Sequence, residues 1–85
     1  MDILGRIMCP MKNSVRTLLA FGRNVARIRA DRGFSQDKLA EKADLDRTFV
    51  SGIERGVRNP GIKTVLRIAR ALEVNIGELF KGVDA

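Results

Sequence analysis

From Val15 to the end of the chain, apolar residues fall at helical spacing. Leu18, Phe21, Val25 and Ile28 recur every three or four positions, the period that gathers one face of an α-helix. They predict a first helix from about Val15 to Arg32, with Ser14 placed to cap its start and Gly33 to stop it. Leu39, Ala40 and Ala43 mark a short second helix over about 36–43, opened by Ser35, whose hydroxyl can accept from the free N–H groups of the first turn. Asp44 stands in the next turn and tolerates left-handed backbone; Leu45 plugs the core there, and Asp46 is an N-cap for a third helix over about 47–55. Pro60 opens a fourth helix, about 62–72, that buries Val65, Leu66, Ile68, Ala69 and Leu72, with Val74 docking the connection. Asn75, with Glu78 three residues later, makes a capping-box start for a fifth, NIGELF. The expected class is all-α.

The second and third helices, joined by a tight turn, form the unit that lays a helix into the major groove of DNA. At about 100° per residue, the third helix puts Val50, Ile53, Glu54 and Val57 on the core side. Thr48, Ser51, Gly52 and Arg55 fall opposite, with Arg47 and Phe49 on the flanks. That outer surface is short and hydrogen-bonding with a cation at its edge, and can approach base edges closely; the plainer alternative is an ordinary solvated helix face. Gly52 inside a helix costs about 1 kcal/mol relative to Ala, which close approach of its backbone to DNA would offset. Two charges are misplaced: Arg29 lies on the side of Val25 and Ile28, and Glu54 on the core side of the third helix, where each is costly unless paired. Gln36 opens the second helix, where free N–H groups and the dipole favour a phosphate. Arg58 and Asn59 follow the third helix, placed for the sugar-phosphate backbone.

Composition supports a polyanionic partner. The 85 residues carry 16 Lys and Arg against 10 Asp and Glu, a net charge of +6. Apolar residues make up 45% of the chain and are largely periodic, so the chain folds instead of forming a basic disordered tail. It makes one small domain with a thin margin of buried surface, which dimerisation would widen. The single cysteine, Cys9, can form neither an internal disulfide nor a metal site by itself, which fits a reducing cytosol. No apolar run reaches the roughly 18 residues that span a membrane, and Arg6, Pro10, Lys12 and Arg16 interrupt any signal peptide. Histidine, tyrosine and tryptophan are absent, and no nucleophile–base pair, phosphate loop or carboxylate cluster stands out. No enzyme, cofactor or small-molecule effector is expected. Residues 1–13 contain Pro10, which breaks helices; disorder is expected there, with a short dimer contact as the alternative. Met8 and Met11 are each placed to start translation. Residues 81–85 should fray.

The stretch from Gly22 to Phe80 closely resembles the Cro/repressor-type (XRE) helix-turn-helix family. The similarity lies in GFSQ (33–36), LDRTFVSGIERG (45–56), RNP (58–60) and LRIARALEVNIGELF (66–80), and covers about 59 of the 85 residues. Asp44 departs from the family's common Gly, and Gly61 from its frequent Ser, a weaker cap. Within the family, LDRTFVSGIERG followed by RN is most similar to the small controller proteins of restriction-modification operons; phage-type repressors and antitoxin-like autoregulators carry similar strings. The resemblance implies a five-helix, lambda-repressor-like domain over 14–80. It also implies a transcriptional regulator binding double-stranded DNA sequence-specifically, as a homodimer on a near-palindromic operator, with no membrane role. Arg47, Thr48, Ser51, Gly52 and Arg55 would read bases, and Gln36, Phe49, Arg58 and Asn59 would hold the backbone. It implies an interior Arg29–Glu54 pair, in agreement with the physical need of each charge for a partner. Leu79 and Phe80 serve the core or, as the family suggests, the dimer interface. The contrasting possibility is a protein-interaction module such as an antitoxin, with DNA binding secondary.

Overall fold

The computed structural model describes residues 3–83, with side chains from Val15 onward. Five helices follow one another: α1 (Ile3–Asp31), α2 (Gln36–Ala43), α3 (Arg47–Glu54), α4 (Ile62–Leu72) and α5 (Ile76–Leu79), with no strand among the described residues. Their apolar faces meet in one core. Phe21, Val25 and Ile28 of α1 close on Leu39 of α2, Val50 and Ile53 of α3, Val65, Ile68 and Leu72 of α4, and Leu79. Phe34, Leu45 and Val74 pack from the connections.

The first helix is longer than its apolar period predicts. Its backbone is helical from Ile3, so Ser14 lies inside it and Pro10 does not break it. Proline removes one bond of the ladder, while the Ile, Leu, Met, Arg and Lys around it extend a helix that is already nucleated. The side chains of residues 1–14, and with them the alternative of a dimer contact in 1–13, lie outside the described residues. Residues 81–83, expected to fray, are tied down: Asn24 Nδ2 donates to the carbonyls of Leu79 (2.8 Å) and Lys81 (2.9 Å), and Val83 packs against the core.

The caps explain where the short helices stop. Ser35 Oγ accepts from Lys38 N at 3.0 Å. Asp44 ends α2 in left-handed backbone at φ 57°, its N–H returning to the carbonyls of Ala40 and Glu41, and Glu73 ends α4 in the same way at φ 60°. Asp46 and Asn75 hold their cap positions without a side-chain cap bond, so the expected Asn75–Glu78 box is replaced by a backbone bond from Glu78 N to Asn75 O. Leu66, expected inside, is exposed, and Ala71 is buried instead. It lies about 100° from Val65, past one edge of an arc that Ala71 completes at the other.

Candidate nucleic-acid interface

The surface of interest is built on α3. Val50 and Ile53 are fully buried and anchor the helix by one side, which leaves Arg47 and Thr48 exposed and Ser51 half-exposed on the other. The helix ends at Glu54, so Arg55 is its exposed C-cap residue. Val57, assigned to the core by period, lies beyond that end and is 61% exposed. A backbone contact sets the position of α3. Gly22 of α1 is buried against it, and a Cβ there would run into the carbonyls of Ile53 and Glu54.

Glu54 is the hub beneath the surface. Arg29 Nε donates to Glu54 Oε2 at 2.5 Å and Arg29 Nη2 to Oε1 at 3.1 Å, a two-pronged pair. Arg29 Nη1 also donates to the Phe34 carbonyl at 2.8 Å. Gln36 Nε2 donates to Glu54 Oε1 at 2.9 Å. The Gln36 amide expected at the DNA backbone is therefore engaged inward, while the residue remains at the start of α2.

Gly52 does not belong to the exposed face. It is buried, and the stem of Arg58 fills the space a side chain at 52 would need, so a Cβ would collide with Arg58 Cγ. The close approach that requires glycine here comes from Arg58, whose N–H also donates to the Gly52 carbonyl at 3.2 Å. Phe49, expected at the DNA backbone, packs half-buried against the core, with the Arg58 guanidinium 5.9 Å from its ring centre. Phe49 thus supports a cation at the edge of the face. Arg47 flanks the opposite edge, its Nε 3.1 Å from Asp37 Oδ1. The exposed strip is thus Arg47, Thr48, Ser51 and Arg55, bordered by Arg58 and followed by exposed Asn59.

The interface assigned to Leu79 and Phe80 divides. Leu79 is 0% exposed and belongs wholly to this chain's own core, where α5 packs on α1 and α4. Phe80 is 42% exposed, its ring centre 5.0 Å from that of Phe21. No helix among the described residues is long and apolar enough to cross a membrane.

A family profile described as helix-turn-helix matches residues 25–79. The chain belongs to the helix-turn-helix family. Among its relatives there, control protein C.BamHI of Bacillus amyloliquefaciens is 43% identical over 71 residues, covering 82% of this chain and 85% of that protein. The crystal structure of the restriction-modification controller protein C.AhdI from Aeromonas hydrophila aligns with a TM-score of 0.73 at 41% identity, over 74% of this chain and 96% of that one. C.Esp1396I, a controller protein crystallised as a tetramer with its natural 35 base-pair operator, aligns with a TM-score of 0.71 at 39% identity, over 79% of this chain and 88% of that one. The all-α, five-helix architecture expected from the apolar pattern is the architecture of this helix-turn-helix protein.

Proposed function

We propose that this chain is a sequence-specific regulator of transcription that binds double-stranded DNA as a homodimer, of the kind that controls restriction-modification operons. One observation carries the proposal: α3 exposes Arg47, Thr48 and Ser51 while Val50, Ile53 and the Arg29–Glu54 pair hold it firmly from beneath. A helix seated in this way enters the major groove without reorganising, and its exposed groups match base edges. Arg47 can donate two bonds to a guanine, and the Thr48 methyl can touch a thymine. Arg58 and Asn59 hold phosphates at its end, and Gln36 contributes at the start of α2 once its amide turns from Glu54. The control-protein relatives and the operator complex of C.Esp1396I support the subtype. Where the site lies relative to a promoter then decides repression or activation.

Exposed apolar surface on α4 and at the chain end supports the homodimer. Ile62 is 77% exposed, Leu66 and Phe80 are open, and Phe80 lines a cleft of about 90 Å³ together with Leu18, Phe21, Pro60 and Val65. Selection of bound duplexes from a random pool, followed by binding across salt, tests the function. A near-palindromic consensus with salt-sensitive affinity is expected. Absence of any salt-sensitive duplex binding would refute it and favour the protein-interaction module.

A further inference from the structure

We propose that Asp37 is a specificity-determining residue that acts by positioning Arg47; the inference rests on the DNA-reading role of α3 given above. Asp37 lies in the first turn of α2 and Arg47 is the first residue of α3, so the pair bridges the two helices of the motif at the edge of the exposed strip. Asp37 Oδ1 stands 3.1 Å from Arg47 Nε, and the two side chains are 75% and 59% exposed. A pair so open to water contributes little to the fold, and the only other structural gain from Asp37 is the modest one of an acid in the first turn of α2, on a face meant for a polyanion.

Its effect appears when DNA covers the pair. With Nε facing the carboxylate in an ion pair, Nη1 and Nη2 can donate in parallel to O6 and N7 of a guanine. Arg47 can therefore read guanine without releasing Asp37. Where no guanine is offered, Arg47 has two options. It can stay and leave its terminal donors unmatched, or it can swing to a phosphate and leave Asp37 unpaired beside the polyanion. Both are costly, the second through like-charge repulsion in a partly desolvated interface. Neighbouring groups give little relief: the Gln36 amide goes to Glu54 or, on DNA, to a phosphate, and Lys38 lies near Glu41 at 3.7 Å. Asp37 thus disfavours wrong sites more than the right one, discrimination through a repulsive element.

The test compares wild type with Asp37→Asn and Asp37→Glu on a duplex selected by the wild-type protein from a random pool, and on a scrambled duplex of the same composition. Asp37→Asn should bind the scrambled duplex more tightly and the selected duplex no better, so discrimination falls about tenfold. The salt slope on the scrambled duplex should steepen by about one unit per subunit, because Arg47 now reaches a phosphate there. Asp37→Glu should restore most of the discrimination, and all three proteins should melt alike. Unchanged discrimination in Asp37→Asn, or parallel weakening on both duplexes, overturns the proposal. A wild-type protein that enriches no sequence from the pool is a different result, and overturns the DNA-reading role beneath it.

Discussion

The stem of Arg58 lies where a side chain at position 52 would be, and its guanidinium sits beside the Phe49 ring. Gly52→Ala should therefore force Arg58 off its seat near the root of its side chain, at Cγ. That offsets the gain of about 1 kcal/mol that alanine brings to a helix, so the melt should lie at or below wild type. What it removes is the seat of Arg58, so the salt slope of DNA binding should fall by about one unit per subunit; titrations at several salt concentrations beside a thermal melt check both. Arg47 and Arg58 should fail differently. Arg47→Ala is expected to lose about 1–3 kcal/mol on the selected duplex and to relax the choice of base there, whereas Arg58→Ala weakens every duplex about equally. Fluorescence titration of selected and scrambled duplexes separates them. Equal weakening of both by Arg47→Ala would make that residue a phosphate contact.

Between elements, α3 is held at two places besides its apolar anchors Val50 and Ile53. Glu54 takes three hydrogen bonds, two from Arg29 of α1 and one from Gln36 of α2, while Arg29 also reaches the carbonyl of Phe34 in the connection. Glu54 is only 6% exposed, so Arg29→Met strands an interior carboxylate. A loss of roughly 3–5 kcal/mol is expected, a large share of the total stability of a small domain, and urea denaturation measures it. Wild-type stability would mean that the pair does not hold α3. The second place is Gly22, where α1 and α3 touch by backbone. Gly22→Ala must push α3 outward at a cost of about 1–3 kcal/mol, as overpacking does. It should also weaken DNA binding, because the exposed strip moves with its helix.

For the whole molecule, a net charge of +6 and one short exposed helix make a half-reader: attraction to any DNA, with too few base contacts to choose tightly. Two copies with α3 helices about 34 Å apart, one turn of DNA, correct this. Ile62 is the cleaner probe of that assembly, because Phe80 also packs on Phe21 within the chain. Ile62→Lys should leave the melt of the monomer fold intact and shift sedimentation from dimer to monomer. Wild-type protein that sediments as a strict monomer, free and on its selected duplex, would remove the dimer.

The apolar period alone determined most of the helices, because each short amphipathic segment has one face to hide and a residue at each end that can end it. Ser35, Gly33 and Asp44 act locally, and their roles follow from chemistry within a few positions. Arg29 and Glu54 were legible for a related reason: a charge on an apolar stripe announces that it needs a partner. What depended on residues far apart in the chain was not legible. Gly52 counts as outer-face by angle, and only the return of the chain after α3 lays Arg58 over it. Leu79 and Phe80 are adjacent apolar residues, and only the packing of α5 on α1 and α4 decides that one is core and the other half-open. Asp37 is an ordinary first-turn acid until α3 brings Arg47 beside it. Periodicity describes a helix against an unspecified interior. Which neighbour covers which edge is settled by the meeting of elements, and so only the tertiary structure decides it.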